Sequence, residues 1–185
     1  MTEIAGPTEP SPWIARFAPL ISPGSEVLDL ACGAGRHARL LAGLGCTVEA
    51  VDRDATTLQQ LDGVAGITTR CVDLENGPWP YYGYGFDGII VSHYLWRPIM
   101  PSLLNCLNEG GILIYETFME GQQLYGKPEN PAHLLRPGEL LELVRNRWTV
   151  LAFEQGEFSG RTPDDPPRVM QRICARRGRP VALPT

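Results

Sequence analysis

A doubly wound α/β fold, a mostly parallel sheet with helices on both faces, is what this sequence predicts. Three observations carry it. Short apolar runs alternate with amphipathic segments through residues 26–118. The run Ile89-Ile90-Val91 is apolar at consecutive positions, as a strand buried on both faces must be. The first strand passes into its helix through the small residues Gly33-Ala34-Gly35, a joint that in such sheets faces a ligand.

Each element follows in order. Residues 1–10 read as a polar, proline-containing flexible arm. Ser11-Pro12 sets a cap before a proline at the first helical position and opens a helix over "WIARFAPL". Residues 26–32 form the first strand, and 36–45 a helix stopped by Gly45. The second strand is 47–52; Asp54 then caps a helix that Gly63 ends. The third strand is 67–73. The segment "LENGPWPYYGYG" after it has no helical period. Extended, such a segment reaches roughly 40 Å, enough to cross two or three strands spaced about 4.8 Å apart. The fourth strand is 86–93; a short helix near 101–108 and Gly110-Gly111 lead to the fifth, 112–118. Residues 119–135 form a polar loop long enough to act as a lid or binding loop. Pro137 opens one more helix. The last strands, 148–158 and 168–177, are separated by too few residues for a helical crossover, so they pair antiparallel and complete a seven-stranded sheet. Residues 178–185 read as a flexible tail. With no internal repeat and no boundary, residues 1–185 form a single domain large enough to bury a substantial core.

Composition narrows the function. Hydrophobic content of 43% and charged content of 20% suit a soluble globular chain. The net charge of −5 argues against a surface that grips nucleic-acid phosphates broadly. Lys127 is the sole lysine, and Pro128 follows it, which excludes a phosphate-binding G-x-x-x-x-G-K-[ST] loop. Gln123 stands four residues before it, which excludes the Tyr-x-x-x-Lys pair of short-chain dehydrogenases. Cys32, Cys46, Cys71, Cys106 and Cys174 are odd in number and widely spaced, four of them in or beside apolar runs. They read as reduced thiols, with neither a disulfide framework nor a metal site. The N-terminal stretch lacks the pattern of a signal peptide, and no run reaches the length of a membrane span. A cytoplasmic protein without membrane contact is expected.

Gly33-Ala-Gly35-Arg-His-Ala38 satisfies the dinucleotide fingerprint G-x-G-x-x-G/A. Asp29 contradicts it. A carboxylate four residues before Gly33 repels a pyrophosphate and receives an ammonium group. Asp52 ends the second strand, where it accepts hydrogen bonds from ribose hydroxyls, and Asp73 ends the third, where it accepts from an exocyclic amine. Three carboxylates on one sheet edge suit an adenosine that bears a cationic aminoacyl tail.

These segments resemble the class I S-adenosylmethionine-dependent methyltransferases. "VLDLACGAGRHA" is similar to that family's first motif, "VDRD" to its second, "RCVDLE" to its third and "FDGIIVSHYLW" to its fourth. "LNEGGILIYETF" resembles the strand after the motifs. In style the chain is nearest small bacterial methyltransferases of the tellurite-resistance-like group. The resemblance implies an enzyme with a Rossmann-like sheet that uses S-adenosyl-L-methionine. Carried over, Asp29, Gly33 and Gly35 would hold the methionine part, and Ala31 would be a further cofactor contact. Asp52, with Arg53 beside it, would take the ribose, and Asp73 and Leu74 the adenine. Ser92 and His93 would lie nearest the methyl group, with His93 as base or orienting group and Tyr94 beside it. Trp96 and Arg97 extend this into a substrate wall, and Glu116 and Tyr125 are further substrate contacts. Tyr125, Lys127 and Asn130 are also the lid candidates, with Arg136 just after the loop and His133 within it. Trp79, Tyr81 and Tyr82 are expected to cover the adenine, and His37 to lie on a helix surface.

The acceptor is framed by exclusion. "SHYLW" replaces the Asn/Asp/Ser-Pro-Pro-Tyr/Phe stretch of enzymes that methylate base amino groups. Ser92 and His93 do not suit a catechol-type magnesium site. Buried cysteines do not suit arsenite chemistry. A small-molecule methyl acceptor is the leading expectation. A protein or RNA methyltransferase and a non-catalytic S-adenosylmethionine-binding module are the alternatives. Nothing in the sequence sets an oligomeric state.

Overall fold

The computed structural model describes residues 9–160 and 165–178. The expected arm 1–10 and tail 178–185 lie almost wholly outside the described residues. The strands are β1 (Glu26–Leu30), β2 (Thr47–Asp52), β3 (Ile67–Cys71), β4 (Phe86–Ser92), β5 (Leu107–Phe118), β6 (Trp148–Phe158) and β7 (Arg168–Arg177). The helices are α1 (Pro12–Phe17), α2 (Arg36–Gly43), α3 (Ala55–Leu58), α4 (Met100–Asn105) and α5 (Glu139–Leu143). The strands form one sheet in the order β3-β2-β1-β4-β5-β7-β6. All neighbours pair parallel except β7, which runs antiparallel to both β5 and β6. The predicted class and the antiparallel final pair are what the chain adopts.

Side-chain alternation along the strands gives the sheet two buried faces. Ile89 and Val91 of β4 pack with Leu28, Leu30 and Leu113 on one face. Ile90 packs with Val27, Val48 and Ile114 on the other, under α1 and α2. The caps read from sequence are present: the Ser11 side chain accepts from the Trp13 N–H, and Asp54 accepts from Thr56 and Thr57. The link from β3 to β4 carries no helix, as its composition implies.

Four expectations are corrected. β5 begins at Leu107 rather than residue 112, because its pairing with β4 jumps from Phe86↔Leu107 to Gly88↔Ile112 and absorbs the glycine pair as an irregularity. His37 is not on a helix surface. α1 folds over the first turn of α2, and the buried His37 Nε2 accepts the Ser11 N–H at 3.1 Å. Trp79 and Tyr81 do not cover a ligand; they pack edge-on in the core, where Tyr81 bonds Glu49 on β2, while Tyr82 is exposed. Cys71 is exposed at the end of β3, whereas the other four cysteines are buried.

Candidate active site

The C-terminal ends of β1, β2, β3 and β4 converge on one edge of the sheet, where the chain reverses its order between β1 and β4. That reversal is where open α/β sheets bind ligands. The turn after β1 holds three residues in the left-handed region: Ala31 at φ 53°, Gly33 at 53° and Gly35 at 73°. Gly35 is required by space as well, since a Cβ there would lie 2.5 Å from the Leu61 side chain. At Gly33 the same Cβ would meet nothing within 4 Å, so the turn faces open space.

Asp52 braces this turn from the end of β2. Its Oδ2 accepts the Gly33 N–H at 2.8 Å, and its Oδ1 accepts the Asp54 N–H at 3.0 Å. Asp29 is buried, with Oδ2 lacking any hydrogen-bond partner among the described residues. Burial pushes its carboxyl up to about 7, opposed by the Ala38 amide in the first turn of α2 and by the Arg36 guanidinium. A buried carboxylate with an orphaned oxygen is costly unless a cation completes it.

Ala31, Asp52, Arg53, Asp73, Leu74 and Tyr94 line a cleft of about 290 Å³ beside the turn. Asp73 is organised by its own loop. Its oxygens accept from the Asn76 side chain and the Glu75 N–H, each at 2.9 Å, which holds its carboxyl below the usual range. Tyr94 is shared with a second cleft of about 490 Å³, lined also by His93, Phe118, Lys127, Asn130 and His133. Its hydroxyl is buried and unpartnered among the described residues. Burial, with the nearby Glu75 and Asp73 charges, pushes that hydroxyl further above its ordinary pKa.

His93 directly follows β4 in a left-handed conformation, φ 57°. Its N–H donates to the Glu116 carbonyl at 2.9 Å, and its ring stacks on Phe118 at 4.9 Å between centroids. Such a backbone in a non-glycine residue is uncommon and concentrates at functional sites. Ser92 is fixed beside it: Arg36 donates to its Oγ at 3.3 Å, and Ser92 donates to Glu116 Oε1 at 3.1 Å. The buried Glu116 also faces Arg172 of β7 at 3.6 Å.

Of the residues singled out from sequence, Ala31, Asp52, Arg53, Asp73, Leu74 and Tyr94 meet at one cleft, and His93 and Tyr94 at the next. Arg97 lines neither. Its guanidinium grips both oxygens of Glu139 at 2.7 and 2.8 Å and donates to the carbonyls of Ala132 and Leu134. It clamps the 119–135 segment to α5. Tyr125 lies further out, its hydroxyl donating to Glu157 at 2.5 Å. Sequence reasoning missed Arg168 and Arg172, which β7 delivers to the same edge because it runs antiparallel. Among the described residues no group of three or more His, Cys, Asp or Glu is placed to hold a metal ion, and no helix is long and apolar enough to cross a membrane.

Comparison with known proteins agrees with this geometry. A family model described as a methyltransferase domain matches residues 27–111, the span from β1 into β5. No curated protein sequence matches the chain. Among solved structures, TehB from Haemophilus influenzae is similar with TM-score 0.72 and 22% identity over 89% of this chain. The chain spans only 61% of TehB's length. The N-methyltransferase NodS from Bradyrhizobium japonicum gives 0.67 and 16% over 90% of this chain and 93% of its own. The tRNA m1G37 methyltransferase of M. jannaschii gives 0.62 and 13% over 90% of this chain and 49% of its own. The sheet order and the cleft at its topological reversal are those of a Rossmann-like fold. Residues 27–111 carry the methyltransferase-domain match, and the chain as a whole has the Rossmann-like fold of S-adenosylmethionine-dependent methyltransferases.

Proposed function

We propose that the chain methylates a small molecule held between the end of β4 and the 119–135 segment. The carrying observation is the pair of adjoining clefts. One is acidic and sized for part of an adenosyl ligand; the other is larger, and they meet at Tyr94. The residues present fit the donor. The orphaned Asp29 oxygen suits its ammonium, the open face of Gly33 admits its methionine part, and Asp52, Asp73 and Leu74 line the space for ribose and adenine. Asp52 already accepts two amides, and a carboxylate retains lone pairs for the ribose hydroxyls.

Bound there, the donor supplies a methyl group on a positively charged sulfur, which departs as a neutral thioether. The protein's part is alignment and exclusion of water. The His93–Phe118 stack gives the acceptor a flat wall, and the His93 ring stands where it can take a proton from an acceptor that carries one. The unpartnered Tyr94 hydroxyl sits between the clefts and orients whichever polar group crosses that boundary. Ser92, held by Arg36 and Glu116, keeps the end of β4 in place.

The test is a homocysteine-release assay over small thiols, amines, carboxylates and oxyanions, run beside RNA and peptide substrates. Turnover on a small acceptor is the expected result. Turnover on RNA or peptide alone overturns the reading, and no turnover on any class favours a binding module.

A further inference from the structure

We propose that the acceptor is an organic molecule bearing a carboxylate, and that Lys127 and Arg168 hold that group. The inference rests on the small-molecule reading above and deepens it. Beyond the acceptor cleft lies a further space of about 290 Å³. It shares His93, Phe118 and Lys127 with the acceptor cleft and no residue with the donor cleft. Its remaining walls include Tyr125, Pro166, Pro167 and Arg168. An elongated acceptor lying through both spaces would present one end to Tyr94 and the other to the two cations.

Several arginines elsewhere in the chain are already neutralised by carboxylates. Arg70 is matched by Glu49, Arg97 by Glu139, Arg172 by Glu116 and Glu154, and Arg177 by Glu109. Neither Lys127 nor Arg168 has an ion pair or side-chain hydrogen bond with any described residue. Glu157, on the strand next to Arg168, is already engaged by the Tyr125 hydroxyl. Two like charges in one concave space build a local positive potential, here within a chain of net charge −5. An incoming anion relieves it.

The two cations are also held in register. Gln122 is buried, and its Nε2 donates to the Lys127 carbonyl at 3.4 Å while its Oε1 accepts the Val169 N–H at 2.8 Å. The Met119 N–H donates to the Val169 carbonyl at 2.9 Å. One buried amide thus ties the lysine's loop to the arginine's strand. A guanidinium fork matches a carboxylate edge, and an ammonium adds a point charge. The aromatic and proline walls suit an apolar molecular body, which separates an organic acid from a bare inorganic oxyanion.

The test uses the full chain saturated with S-adenosylhomocysteine and titrated with benzoate by calorimetry, beside benzamide and inorganic phosphate. Benzoate is expected to bind and benzamide not. Lys127→Met and Arg168→Met should each weaken benzoate about tenfold, the scale of a hydrogen bond to a charged group, and the double variant further. Unchanged S-adenosylhomocysteine affinity in each variant establishes that the fold is intact. Benzoate that fails to bind, or binds the double variant as it binds the parent, overturns the proposal. Phosphate binding in place of benzoate overturns the carboxylate assignment. The titration reads the anion site without turnover, and the acceptor panel reads turnover without benzoate, so failure of either claim shows separately.

Discussion

Asp29 carries one unpartnered oxygen in a setting that pushes its carboxyl from 3.8 to about 7 through burial. An acid whose folded pKa lies above its unfolded value keeps its proton longer in the folded chain. The stability of the ligand-free protein therefore falls as pH rises from about 4 to about 7 and levels off above that. A bound ammonium reverses the preference, because it favours the ionised form. Donor affinity should thus drop toward acid below about pH 7, by up to about tenfold per unit. Calorimetry with S-adenosylhomocysteine across this range checks it: Asp29→Asn should flatten the profile, and an unaltered slope would assign the dependence elsewhere. Ala31 offers a second test. At φ 53° it spends roughly 1–2 kcal/mol on a left-handed backbone. Glycine removes that strain but adds about 0.4–1 kcal/mol of unfolded-state entropy. Ala31→Gly should raise Tm by about 1–4 °C in a chain of this size, and a fall in Tm would show that the Cβ contributes packing that outweighs the strain. The carboxylates were legible in sequence because strand ends follow from apolar patterning. The strain at Ala31 was not, since an alanine in a motif carries no sign of its φ.

Arg97 decides the fate of a whole segment. Its partners lie 35 to 42 residues downstream, so an arginine after His93 looks like a substrate contact until α5 brings Glu139 back beneath it. With Arg97 joined to the Ala132 and Leu134 carbonyls, and Gln122 joined to Val169, the 119–135 segment is pinned at both ends. The short 3₁₀ turns at Gln122–Leu124 and Pro131–His133 give it further internal order. Arg97→Ala should cost about 1–2 kcal/mol of stability, the bonds being discounted for a side chain 37% exposed to solvent. The sharper signature is local. Amide exchange should quicken around residues 132–135 while S-adenosylhomocysteine affinity stays unchanged. Weakened affinity with unchanged exchange would mean that the clamp serves the donor side instead. The α/β alternation and the antiparallel final pair were legible because burial and loop length dictate them. The clamp was not, because it depends on two elements meeting in space.

Across the whole molecule, topology explains why the site gathers where it does. Parallel strands β1 to β4 deliver Asp29, Asp52, the Asp73 loop and His93 to one edge, and antiparallel β7 returns Arg168 to that edge from 75 residues further on. Local sequence could mark the first four, and only the reversal of β7 adds the last. Binding at this edge joins the turn after β1 to β2 and to the segment after β3, so the donor should stabilise the fold as a unit. S-adenosylhomocysteine at about 100 times its Kd adds about 2.7 kcal/mol, which in a chain of this length raises Tm by roughly 5–10 °C. Asp52→Asn separates its two duties. The amide oxygen can still accept the Gly33 N–H that braces the turn, but the NH2 that replaces Oδ1 cannot accept the Asp54 N–H, and the charge offered to the proposed ribose is gone. A tenfold weaker Kd would leave about 1.4 kcal/mol at the same concentration, roughly half the thermal shift, measured from a ligand-free Tm lowered modestly by the lost Asp54 bond. A shift as large as the parent's would remove Asp52 from the ribose site. A collapse of the ligand-free Tm would show that the carboxylate's chief work is to hold the turn rather than the donor.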